Sequence, residues 1–137
     1  MDYRVFDHTA DLGLEVSAAT VEALYAAAAL SLFDLLTDLT RIRARIAREV
    51  VVTGQDPAEV LVNFLREILY LWNGEQFLVK TCQVLEATPR RLKALLRGEC
   101  FDPVRHRTRR EIKAVTYHQA AVRQTERGWV ATVVCDV

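Results

Sequence analysis

A chain of 137 residues with 51% hydrophobic and 26% charged side chains has enough apolar material for one domain with its own core, which excludes a disordered segment. Three cysteines, Cys82, Cys100 and Cys135, are too few and too widely spaced for a disulfide framework or a CxxC metal or redox site, so they are expected as small apolar residues within strands. Formal charge is zero but unevenly spread: residues 1–40 hold seven acids against Arg4, and residues 90–113 hold nine bases against three acids. An acidic first third suits metal binding and a basic band suits a polyanion or an acidic partner, although two solvated faces would give the same counts.

Taken in chain order, "YRVF" and "LGLEVSA" alternate apolar and polar residues as half-buried strands do. Thr20 is placed to cap a helix that runs to about Leu36, with Val21, Leu24, Tyr25, Ala28, Leu32 and Leu35 as its apolar stripe. The alternation in "RIRARIAREVVVTG" predicts a strand from Arg41, with Arg41, Arg43 and Arg45 on one face, Ile42, Ala44 and Ile46 on the other, and Gly54 at its end. A second helix follows, capped by Asp56, with Pro57 at its first position and Glu59 completing a capping box. Val60, Leu61, Phe64, Leu65, Ile68, Leu69 and Trp72 form its buried face, and Asn73-Gly74 is the expected stop. Four strands are expected after it, "QFLVKTCQVLEA", "RLKALLRGECF", "EIKAVTYHQAAVRQTE" and "GWVATVVCDV", with the "DPVRHRTRR" loop before the third and a hairpin at Arg127-Gly128. The expectation is a single α+β domain over residues 1–137, a mostly antiparallel or mixed β-sheet with two amphipathic helices packed on it.

The apolar run "ALYAAAALSLFDLL" is shorter than the roughly 20 residues that span a bilayer and is interrupted by Asp34. The opening "MDYRVFDHTA" lacks the basic and apolar regions of a secretion signal. A cytoplasmic protein with no membrane partner is expected.

Polar and acidic residues interrupt the first strand pattern at "DHTAD", and another acid, Asp136, ends the last one. If the two strands are neighbours, Asp7, Asp11, Asp136 and the end of the chain at Val137 converge on a small acidic pocket. Oxygen donors of this kind suit Ca²⁺, Mg²⁺ or Mn²⁺ better than Zn²⁺. Asp residues at a strand end are also ordinary turn formers, and spacing alone leaves both readings open.

"FDHTADLGLEVSA", "EIKAVTYH" and "GWVATVVCDV", in that order and with the two helical segments between the first pair, resemble the archease family from end to end. The resemblance implies an activator of an RtcB-type RNA ligase, which joins RNA ends bearing a 2′,3′-cyclic phosphate or 3′-phosphate to a 5′-hydroxyl in tRNA splicing and RNA repair. Archeases promote guanylylation of the ligase and its multiple turnover, and are not themselves enzymes. The resemblance further implies a divalent-cation site, with calcium, at Asp11 and Asp136, completed by a main-chain or terminal oxygen of Val137. Asp7 and His8 belong to the same motif, with His8 expected to orient Asp11 rather than to bind the ion. Lys113 and His118 are candidates to face a phosphate or an acidic partner, and an exposed strand lysine accounts for Lys113 equally well. Contact with tRNA through the basic band is open, and acidic ligase surface is an equal alternative. Two readings of other classes remain, a metal-dependent phosphoesterase and a chaperone-like binding module for RNA-modification enzymes.

Overall fold

The computed structural model describes residues 2–8 and 11–137, with the side chains of Asp7 and His8 outside that description, as are Thr9 and Ala10. The elements are β1 (Asp2–His8), β2 (Asp11–Ala18), α1 (Val21–Leu36), a 3-10 turn (Leu39–Arg41), β3 (Ile46–Thr53), α2 (Pro57–Glu75), β4 (Phe77–Thr88), β5 (Arg91–Cys100), β6 (Ala114–Thr125) and β7 (Gly128–Asp136). The α+β expectation holds, and the strands divide into two antiparallel sheets. One is four-stranded in the order β1-β2-β7-β6, and the other three-stranded in the order β3-β5-β4.

Both helices touch both sheets. That placement explains why α1 buries more than the single stripe its spacing predicts: Ala29, Ser31, Phe33 and Leu36 join Leu24, Tyr25, Ala28 and Leu32, while Val21 and Leu35 are only half-buried. In α2, Val62 and Leu71 are buried beside the expected face, and Trp72 is half-buried against Phe101. Tyr25 and Phe64 meet edge to face at 6.4 Å where the helices share the core. Thr20 and Asp56 cap as expected, accepting from the Ala23 and Glu59 N–H groups at 3.1 and 2.9 Å.

Two local expectations fail, each because tertiary partners override local pattern. The strand predicted from Arg41 begins at Ile46. Ahead of it, Asp38 caps the 3-10 turn through the Thr40 N–H, and the Arg43 N–H is taken by the Glu99 carboxylate at 2.7 Å. With those donors engaged, the segment does not alternate: Ile42 is buried, whereas Ala44 and Ile46 are exposed. Helix α2 runs through Asn73-Gly74 to Glu75 and is closed by Gln76 in a left-handed conformation (φ 55°, ψ 34°). The Gln76 N–H bonds back to Trp72 O at 2.8 Å while its carbonyl accepts from Phe101 N–H, so a contact with the end of β5 sets the stop. The three cysteines lie within strands as expected, but with different burial: Cys135 of β7 is buried, Cys82 of β4 half-buried and Cys100 of β5 exposed. Burial pushes the Cys82 and Cys135 thiols up to about 12, which keeps both protonated and inert.

Candidate functional site

Side chains alternate faces along a strand, and directly opposite residues of an antiparallel pair share a face. In β2 the buried Leu12, Leu14 and Val16 stand opposite Cys135, Val133 and Ala131 of β7, which is the core face. Asp11 and Asp136 are opposite one another one step further on, on the other face, and both are half-buried. The register carries this row across the sheet, with His8 opposite Asp11 in β1 and Ala114 opposite Asp136 in β6. The two ends of the sequence thus meet as nearest neighbours through β2–β7 pairing. In the adjacent row Gly13 makes room for the Phe6 ring, which lies over the strand 2.2 Å from where a Cβ would stand.

The other candidates are distributed unevenly around that row. Asp7 stands opposite Leu12, one position off it, and the side chains of Asp7 and His8 lie outside the described residues. Lys113 precedes β6 and is exposed, and its N–H donates to the Asp136 carbonyl at 2.8 Å, which pins its main chain to the acidic strand end. His118 is exposed in the irregular part of β6 between Thr116 and Ala121, beside the left-handed Gln119 (φ 57°), and is not part of the row. Val137 follows Asp136 and is exposed.

Like charges placed directly opposite on a sheet are destabilising, and a cation between them relieves the repulsion. Both carboxylates also act on a common neighbour: after burial, the charges of Asp136 and Asp11 are what raise the Cys135 thiol. Their oxygens are hard donors, which suits calcium, magnesium or manganese. Among the described residues no group of three or more His, Cys, Asp and Glu side chains is placed to hold a metal ion. The donor set fits an open site of two carboxylates, with the remaining positions left to main-chain, water or partner oxygens.

A second carboxylate cluster, absent from the sequence pattern, lies at the end of β5. Glu99 is buried and accepts from the Arg43 N–H at 2.7 Å, from the Arg105 guanidinium and from His106 Nε2 at 2.9 Å. His106 Nδ1 accepts the Asp102 N–H at 2.8 Å, so the ring hydrogen lies on Nε2 and points at Glu99. Burial alone would raise the Glu99 carboxyl, but the bonds from Arg105, Arg43 and His106 outweigh it and hold the group below its ordinary value. Periodicity gave no sign of this cluster, since its members lie in a strand end, a loop and a turn that only folding brings together.

The Archease protein family model matches residues 3–137. The archease of Methanosarcina mazei is 36% identical over 139 residues, covering 98% of this chain and 95% of that protein. That of Methanopyrus kandleri is 36% identical over 140 residues with both chains fully covered. The solution structure of Methanobacterium thermoautotrophicum protein 1598 superposes with a TM-score of 0.81 at 26% identity, covering 98% of each chain.

Proposed function

Because the chain belongs to the archease family, we propose that it activates an RtcB-type RNA ligase and turns over no RNA itself. Asp11 and Asp136 hold a divalent cation, calcium in the first instance, with an oxygen of Val137 beside them. The observation that supports this reading is the β2–β7 register, which sets the acid of the "DHTAD" motif directly against the acid of the last strand. When bound, the cation supplies positive charge and exchangeable coordination positions to a partner oxygen. The chain's own groups do the rest. Strand pairing holds the two carboxylates at a fixed separation, and the Lys113 N–H bond to the Asp136 carbonyl ties the start of β6 to the same strand end. Docked at the mouth of the ligase, this acidic strand end and its cation favour guanylylation and repeated turnover.

The test is multiple-turnover ligation of a broken tRNA by an RtcB-type ligase, with wild-type protein, with Asp11→Ala and with Asp136→Ala. Wild type raises turnover about tenfold or more, equivalent to ~1.4 kcal/mol of barrier, and the variants lose the effect while remaining folded by circular dichroism. Unchanged turnover with wild type, or full activation by both variants, overturns the reading. RNA incubated with this protein alone stays intact, and cleavage there would move the assignment to a phosphoesterase.

A further inference from the structure

Between the 3-10 turn and the loop after β5 lies a cleft whose cationic lining is entirely arginine. A hollow of about 440 Å³ is lined by Arg41, Arg105, Arg107 and Arg109, with Asp38 and Val104 among its other walls. A second, of about 300 Å³, is lined by Arg41, Arg43, Arg105 and Thr40, so the two are adjacent and share Arg41 and Arg105 as walls. The walls are tied down at several points. The Arg109 N–H donates to Leu36 O at 2.7 Å, the Thr37 hydroxyl donates to Arg107 O, and Glu99 grips both Arg43 N–H and Arg105.

These arginines are not equally engaged. Arg105 is held by Glu99 and reaches Asp102 at 3.6 Å, and Arg109 lies 3.8 Å from Asp38. Arg41, Arg43 and Arg107 are exposed and form no ion pair among the described residues. A run of like charges fixed around a concavity raises the local potential and concentrates anions. Guanidinium groups present planar forks of donors that match phosphate oxygens.

We propose that this cleft binds the phosphodiester backbone of RNA, independently of the Asp11–Asp136 site and of any ligase. Two adjacent hollows sharing Arg41 and Arg105 as walls offer successive phosphate positions along a chain rather than a seat for one anion. A protein partner is the less suitable occupant. Stable protein interfaces need a desolvated centre with aromatic or apolar anchors, and Val104, 90% exposed, is the one apolar side chain lining either hollow. Nearby Phe101 is packed against Trp72 and His106 at ring distances of 5.6 and 5.9 Å, so it offers no stacking platform for a base. The contact is therefore to backbone, without sequence preference and with strong salt dependence.

The experiment is fluorescence anisotropy of a labelled tRNA transcript with the full chain alone, from roughly 50 to 200 mM KCl. Wild type binds in the micromolar range, falling steeply with salt. Arg41→Gln with Arg107→Gln weakens binding about tenfold and flattens the log–log salt slope by about 1.5, at ~0.7–0.9 per lost phosphate contact. Arg90→Gln with Arg127→Gln removes the same charge from exposed positions outside the cleft and leaves affinity within about twofold. Equal losses in the two double variants would mean diffuse attraction and overturn the cleft. Wild-type RNA affinity in Arg41→Gln/Arg107→Gln together with lost binding to the ligase would assign the cleft to an acidic protein surface instead. Matching thermal unfolding of all forms secures the comparison, and Arg43→Gln with Arg107→Gln repeats it should the first pair fail to fold.

Discussion

Glu99 and the Asp11–Asp136 pair both place acid at the end of a strand, yet the chain answers their charges differently. Glu99 is buried and met on several sides by Arg105, His106 and the Arg43 N–H, so its charge is spent inside the molecule. It ties the loop after β5 to the segment before β3, and in doing so shapes the arginine cleft. Asp11 and Asp136 instead oppose one another across two paired strands on the outer face of the sheet. A buried carboxylate surrounded by donors is a structural fastening. Two carboxylates opposed across paired strands carry like charge side by side, which is the feature the proposed cation site rests on.

The largest expected effect follows from the fastening. Glu99→Ala leaves the His106 Nε2–H and the Arg43 N–H without their acceptor and Arg105 without its principal partner. The expected loss is about 3 kcal/mol of unfolding free energy, read by urea titration. A loss below ~1 kcal/mol would show that water replaces the carboxylate at little cost, and would erase the contrast between the two sites. The pH dependence has a definite sign. Because the folded carboxyl titrates below its ordinary 4.5, its contribution is complete above that pH and is lost as pH falls through the depressed value. The stability gap between wild type and Glu99→Gln therefore closes in acid.

The two sites also differ in how far the sequence discloses them. Asp11 and Asp136 announce themselves because each breaks an alternating pattern, whereas the β2–β7 pairing that joins them is a long-range contact the pattern leaves open. The boundaries of α2 are legible at its start, where Asp56 and Pro57 act locally, and not at its end, where Gln76 takes a left-handed conformation to meet Phe101. The Glu99 cluster is invisible for the same reason. Glu99 and His106 lie only seven residues apart, but their contact depends on how a loop without periodicity closes. Arg41 to Ile46 alternate as a strand would, but the Glu99 carboxylate from another element claims the Arg43 N–H. Local chemistry is readable where the partner is adjacent in sequence, and hidden where a carboxylate from another element supplies it.

The next effect in size separates the sites by ligand. Calcium at about 100 times its dissociation constant stabilises the wild type by ~2.7 kcal/mol, seen as a higher melting temperature than in a chelator. Asp11→Ala and Asp136→Ala show no such shift, while Glu99→Ala melts lower and keeps it. Retention of the calcium shift by Asp136→Ala would place the ion elsewhere, and its loss in Glu99→Ala would mean the two clusters are coupled.

The smallest effect tests the opposed charges with no metal present. Asp136→Asn preserves size and leaves the main-chain bond from Lys113 N–H to residue 136 intact, so it changes little beyond one charge. If the two carboxylates repel across the β2–β7 pair, removing one charge in a chelator at low salt stabilises the protein by about 0.2–1 kcal/mol. The gain shrinks as salt screens the pair, because both groups are only half-buried. In calcium the sign reverses, since the variant forfeits a ligand that the wild type holds. A destabilised Asp136→Asn in the chelator would mean that groups of the chain already neutralise the acid, as they do for Glu99. The site would then be a second fastening, with nothing left for a cation to relieve.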